Sequence, residues 1–339
     1  MSNFAIIFII FLILNYFLFK QNDYISNKIE LYDYPDNKRK LHKKKTALTG
    51  GIFIFLNLII FFFLLKIDYL QIPDLDLQTE REIVSFSLLI ISQFTIGFYD
   101  DKYELNPFKK LFLSAFFIFV CLVIDENLII RELNFFTESY SIKLSVFSIP
   151  FTILSFLLFL NALNMFDGID LQVPMYTSFL FIYFILNENI QLIIFILPVM
   201  LFIIYYNFKK KLFLGDSGSN LLAALISYII IKNYNSGTEV MYCDEILLLM
   251  LVPGLDMLRL FIFRIYKGKN PFLSDNQHIH HLYFKNFSKK FTIFIIQMHI
   301  VIPLIIFSFF NYLLFILIIS SIIIYFLCII FFKISRRTQ

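Results

Sequence analysis

The chain has 339 residues, 59% hydrophobic and 16% charged, where a soluble domain carries roughly 45–50% apolar and about 25% charged residues. Its 46 Phe and 19 Tyr bring more apolar surface than the cores of two soluble domains enclose, so a soluble globular protein is excluded and most of that surface must face lipid. The net charge of +4 is small, and a nucleic-acid partner is not indicated.

A helix needs about 20 apolar residues, within a range of about 17 to 25, to cross a bilayer. Runs of this kind predict about eleven transmembrane helices (10 to 11), near residues 4–19, 50–65, 83–99, 111–124, 146–163, 173–186, 190–206, 218–231, 246–263, 292–310 and 312–332. The fold class expected is therefore all-α, a polytopic integral membrane protein forming a single domain over 1–339 with a motif-bearing core at about 36–284. The first run lacks a basic leader and a small-residue cleavage site, and reads as an anchor. Eleven spans divide the connections into two sets, one of which holds 23 of the 29 basic residues. Lys and Arg in short loops stay cytoplasmic, which puts the N-terminus outside and the C-terminus inside. Cys121, Cys243 and Cys328 lie far apart, without the paired spacing of a zinc site or disulfide framework; they read as packing residues.

The polar clusters collect on the cytoplasmic side. The basic loop PDNKRKLHKKKTALTGG, which includes Lys45, is also the composition that binds anionic lipid. GFYDDKYELNPFKK sets Asp100 and Asp101 at the end of an apolar run, where a carboxylate is costly and points to function, although a solvated helix end has the same look. NALNMFDGIDLQ spaces Asn164, Asp167 and Asp170 by three, which predicts one shared side of a helix or turn; Asn, Asp and Gly are also ordinary turn residues. KKKLFLGDSGSN offers a Gly-rich turn whose N–H groups suit an anion, beside Phe213 and Asp216. SDNQHIHHLYF holds His278, His280 and His281, three of the five histidines, a group suited to proton transfer or to phosphate oxygens more than to zinc. Carboxylates, Gly turns and cations together are the parts that hold Mg²⁺ and phosphate, which predicts a phosphorylated or diphosphate substrate at the lipid boundary.

In this order, the Asp-Asp pair followed by Leu105-x-Pro107, the N-x-x-N-x-x-D-G-x-D run, F-x-G-D-x-G-S, PGLDMLRLFIFRI and HIHH resemble the polyprenyl-phosphate N-acetylhexosamine-1-phosphate transferases, glycosyltransferase family 4. His-x-His-His with Arg39-Lys40-Leu41-His42 looks like the branch that uses UDP-N-acetylglucosamine or a related UDP-N-acetylhexosamine. The alternative, the phospho-N-acetylmuramoyl-pentapeptide transferase branch, more often carries three consecutive histidines. The chain departs from the family at Ala47-Leu48, where Pro and often Arg precede the paired glycines, and at Leu171, where Gly is common.

The resemblance implies an enzyme, a phosphotransferase that passes a sugar 1-phosphate from a UDP-sugar to undecaprenyl phosphate, releases UMP and starts a lipid-linked surface glycan such as O-antigen, capsule or teichoic acid. It implies Mg²⁺, with Mn²⁺ as a substitute, held by Asp216 and Asn164. Asp100 and Asp101 would sit beside the metal and the acceptor phosphate. Asp167, Asp170, Phe213 and Lys45 would bind substrate, with Asp167 and Asp170 in the nucleotide or sugar pocket and Phe213 on the uracil. His278, His280 and His281 would neutralise the diphosphate, with an apparent pKa near or above the ordinary ~6.5. The implied partners are the UDP-N-acetylhexosamine, the polyprenyl phosphate, the inner-membrane bilayer and, for the assembly, a second copy in a homodimer. His299 is expected to face lipid. A transporter of lipid-linked sugars is the competing class, although its site would lie near the midplane.

Overall fold

A computed structural model describes residues 3–35, 44–66, 77, 79–136, 141–188, 193–236, 241–272 and 277–334. Arg39, Lys40, His42 and the acidic stretch at 72–76 lie outside the described residues. In chain order the elements are α1 (Asn3–Lys20), α2 (Asn22–Ile29), β1 (Tyr32–Asp33), β2 (Thr46–Ala47), α3 (Gly50–Lys66), α4 (Glu80–Tyr103) and α5 (Pro107–Ile124). They continue as β3 (Glu132–Asn134), β4 (Ser141–Lys143), α6 (Ser148–Phe166), α7 (Gln172–Glu188), α8 (Ile193–Phe208) and α9 (Gly215–Ser236). The last are α10 (Cys243–Tyr266), α11 (Ile279–Phe284), α12 (Lys289–Phe309) and α13 (Leu314–Ile334).

Each of the eleven apolar runs falls on one of these helices, with α2 and α11 as short additions and two small antiparallel hairpins, β1–β2 and β3–β4, that the hydropathy pattern does not announce. By length and composition α4, α5, α6, α10, α12 and α13 can each cross a membrane, and the bent pair α1–α2, 54° apart, makes a seventh candidate. The apolar helices at 50–64, 172–186 and 193–208 are shorter. The fold is an all-α membrane bundle.

At its centre stands α9, sixteen of whose 22 residues are buried, packed against α3, α4 and α6. Small residues at its start let backbones meet: a Cβ on Gly51 of α3 would lie 2.4 Å from Gly218 N, and one on Gly97 of α4 would lie 2.4 Å from Asp216 O. Aromatic pairs fill the wider gaps. Phe19 stacks on Phe53 at 4.2 Å, joining α1 to α3, and Phe55 stacks on Phe94 at 4.0 Å, joining α3 to α4. At the far end, Lys232 of α9 donates to Glu82 Oε1 at 2.7 Å and reaches Asp125 Oδ2 at 3.5 Å, so charges buried there are paired, as low-dielectric surroundings require. His299 does not face lipid: its Nε2 lies 3.0 Å from Ser321 O, against α13. The three cysteines are free.

Candidate active site

The opposite end of α9 gathers most of the polar motifs. Phe213 N donates to Ala47 O at 2.7 Å, while Gly50 N and Gly51 N donate to Phe213 O and Leu214 O, both at 3.1 Å. These bonds run the approach to α9 as a short strand beside the start of α3. Gly215, at φ +74, then turns the chain into the helix in a conformation that glycine adopts without steric cost. Orphan N–H groups at a helix start need acceptors. They are supplied by Asp101, at the end of α4, whose two carboxylate oxygens accept from Asp216 N at 2.7 Å and Ser217 N at 2.9 Å.

The neighbouring Asp100 turns elsewhere. Its Oδ1 accepts from Leu105 N at 2.6 Å and closes the turn between α4 and α5. Its Oδ2 accepts from Lys110 Nζ at 2.7 Å, and the same ammonium donates to Asp216 Oδ2 at 2.7 Å. Asn164, near the end of α6, donates through Nδ2 to Asp216 Oδ1 at 2.8 Å and to Ser219 Oγ at 3.1 Å. Asp216 has 37% of its side chain exposed, against 13% for Asp100 and 17% for Lys110, so it is the carboxylate that opens toward a ligand.

Asn164, Asp167 and Asp170 do not share one helix face, because α6 ends at Phe166 and Asp167 caps it. Leu171 takes a left-handed φ of +71 and donates its N–H to Asn207 Oδ1 at 2.6 Å. That backbone suits glycine, so the leucine carries conformational strain there. Asp170 is ion-paired with Lys289 at the start of α12. Asp167 is pushed up to about 8, first by burial and then by the charges of Asp216, Asp170 and Asp101.

The three histidines differ. His278 Nδ1 lies 2.8 Å from Asp256 Oδ2, and Asp256 also accepts from Ile279 N at 3.1 Å, Arg259 Nη2 at 2.8 Å and the Tyr325 hydroxyl at 2.8 Å. A carboxylate on Nδ1 fixes the ring and directs Nε2 away from it. His280 is fully buried, stacked on His278 with centroids 5.2 Å apart, and neither ring nitrogen has a hydrogen-bond partner among the described residues. Burial, reinforced by His278 and His281, lowers its pKa well below 6.5. Burial therefore favours the uncharged form of the His280 ring, the opposite direction to the one that neighbouring phosphates would impose. His281 is half-buried, its ring 4.3 Å from that of His280. The imidazoles join the carboxylates at Gly168, where an added Cβ would lie 1.9 Å from His280 Nε2.

Asp100, Asp101, Asn164, Asp167 and Asp216 therefore form one cluster, with His280 reaching it at Gly168. Phe213 is half-buried in the segment leading to Asp216, and exposed Lys45 sits 4.4 Å above the Tyr32 ring. Sequence reasoning missed Lys110, Asp256, Arg259, Tyr325 and Lys289. The first three lie inside motifs already quoted, and Asp256 and Arg259 are charges within an apolar run, itself a functional signal.

Mg²⁺ is usually held by one or two carboxylates plus substrate phosphate oxygens. Asp100 and Asp216, close enough to share one ammonium, with Asn164 beside them, make such a donor set. Among the described residues no group of three or more His, Cys, Asp or Glu is arranged to hold a metal ion by itself.

The description glycosyl transferase family 4 matches residues 83–233. The chain is 29% identical over 285 residues to the undecaprenyl-phosphate alpha-N-acetylglucosaminyl 1-phosphate transferase of Escherichia coli (strain K12), covering 80% of this chain and 74% of that protein. It is 30% identical over 272 residues to the protein of the same name from Pasteurella multocida (strain Pm70), covering 76% and 72%. With the Haemophilus influenzae protein it shares 30% over 274 residues, covering 76% and 73%.

Proposed function

This chain belongs to glycosyl transferase family 4, a phosphotransferase enzyme of the membrane, and from that premise we propose that it transfers N-acetylglucosamine 1-phosphate, or a related N-acetylhexosamine 1-phosphate, from a UDP-sugar to undecaprenyl phosphate with release of UMP. The product starts a lipid-linked surface glycan. The observation that carries the reading is the meeting of Asp100, Lys110, Asp216 and Asn164 at the start of α9, with a buried imidazole against the adjoining Asp167-Gly168 turn.

Phosphoryl transfer needs positioning and charge neutralisation more than covalent help. A prenyl monophosphate has its second ionisation near pH 6 and attacks the sugar-bearing phosphorus as a dianion, so no strong base is required. Asp101 holds the backbone of the Asp216 turn, and Asp100 holds Lys110 close to the charge that must be neutralised. Asp216 and Asn164, with Asp100 beside them, are the residues that would hold Mg²⁺, which when bound supplies Lewis-acid neutralisation of the diphosphate. His278, oriented by Asp256, would approach the diphosphate or the sugar together with His281, with His280 packed behind them. Asp170, kept in place by Lys289, belongs to the donor pocket with Asp167, Phe213 and Lys45. A small pocket beside the cluster is lined by Lys110, Asn161, Asn164 and Asn220 together with the apolar Leu111, Leu157 and Leu160.

Eleven spans with the N-terminus outside put this end of the bundle at the cytoplasmic face of the inner membrane. The basic residues in the connections at this end support that side, and Lys20, Lys28 and Lys209 each lie over an aromatic ring there. The test is purified protein in detergent with Mg²⁺, undecaprenyl phosphate and a panel of UDP-sugars. Stoichiometric UMP and lipid-linked product from UDP-N-acetylglucosamine is the expected result. Turnover of only the muramoyl-pentapeptide donor moves the chain to that branch, and no UMP from any donor rejects the transferase reading.

A further inference from the structure

We propose that Lys110 is a tethered cation that occupies the divalent-ion position between Asp100 and Asp216 and yields it when the ion binds. The inference rests on the reading of Asp216 as a metal ligand and adds a competitor for it within the chain.

Lys110 stands near the start of α5, while its two partners come from the end of α4 and the start of α9, so three helices converge on one ammonium. Its Nζ is 2.7 Å from Oδ2 of Asp100 and 2.7 Å from Oδ2 of Asp216. With 17% of the Lys110 side chain exposed, solvent screens these contacts little, and the ammonium balances two carboxylates that would otherwise repel one another. Mg²⁺ requires carboxylate oxygens at about 2.0–2.1 Å. An ion taken up by Asp216 and an ammonium bonded to the same carboxylate are like charges within a few ångströms, so binding of one weakens the hold of the other. A lysine can give way, because its ammonium is a point charge on a flexible four-carbon stem, whereas a guanidinium would grip both carboxylates through a rigid fork. Asp101 is not part of this exchange: both its oxygens are engaged by backbone N–H groups of α9.

The experiment titrates the full-length protein in detergent with Mn²⁺, reading free ion by electron paramagnetic resonance. Lys110→Gln removes the competitor and is expected to bind Mn²⁺ about tenfold tighter, the scale of one lost charge-assisted contact. Lys110→Arg, which keeps the charge and the ion pairs, is expected to bind it more weakly than wild type. A folded Gln variant with unchanged or weaker affinity overturns the proposal; where that variant does not fold, an Arg variant with unchanged or tighter affinity does so. Asp216→Asn separates the two levels: if it abolishes binding while Lys110→Gln matches wild type, the metal site stands and the competition fails. If Asp216→Asn binds Mn²⁺ as wild type does, the metal reading and the competition fail together.

Discussion

Replacing Gly168 by Ala adds a single methyl group where the carboxylate turn touches the buried histidine. The φ of Gly168 lies outside the left-handed region, so alanine meets no backbone strain there, but the new Cβ would sit 1.9 Å from His280 Nε2, 2.3 Å from Cε1 and 2.9 Å from Cδ2, inside the 3.0 Å limit of real contacts. The imidazole must retreat by about 1 Å. It has little room to do so, being fully buried and parallel to His278 within 5°, with His278 itself anchored on Asp256. A misplacement of about 1 Å at a reacting centre lowers the rate by ~10²-fold, and overpacking destabilises by about 1–3 kcal/mol. The expected outcome is a folded protein with slightly lower Tm and a kcat for UMP release reduced about a hundredfold. A His280→Ala background removes the three atoms nearest the new methyl group, so adding Gly168→Ala there should cost much less, a strongly non-additive cycle. Near-wild-type kcat in folded Gly168→Ala, or full additivity in the double variant, would refute the link between the turn and the imidazole.

Asp216→Asn and Asp100→Asn should each lower turnover by at least ~10²-fold, the scale of one preorganised electrostatic group, with circular dichroism unchanged; full activity in folded variants removes them from the site. Asp101→Ala should behave differently, lowering stability by about 0.5–2 kcal/mol through the lost cap, seen as a drop in Tm alongside the loss of activity. Because the His280 pKa is lowered in the folded state, the unfolded chain binds more protons below about pH 6.5, so its share of stability is complete above that value and is lost as pH falls. Thermal melts across this range should show a slope that His280→Ala flattens; parallel slopes contradict the buried neutral ring. Lys289→Gln frees Asp170 and should raise KM for the UDP-sugar more than it lowers kcat, with Lys289→Arg restoring it.

The bundle was largely legible because a bilayer demands long apolar runs, and each such run became a helix. The hairpin β1–β2 was not, since it consists of two residues from each strand held by the approach of Ala47 to Leu212, a contact between segments far apart in sequence. Lys110 was hidden for the same reason: its partner Asp216 is 106 positions away, and the pairing exists only once α5 and α9 pack against α4 and α6. What the motifs did not reveal is the division of labour within them. Adjacent residues on a helix point about 100° apart, so Asp100 aims at a lysine and a second carboxylate while Asp101 aims at bare N–H groups, and two identical side chains become a charge partner and a helix cap. In the His-Ile-His-His run, likewise, Asp256 captures one ring, burial lowers the pKa of the next, and His281 is left half-buried beside it. The chemistry available to each residue is set by the helix it faces, which is why the residue types predicted the class of reaction better than they predicted the task of each side chain.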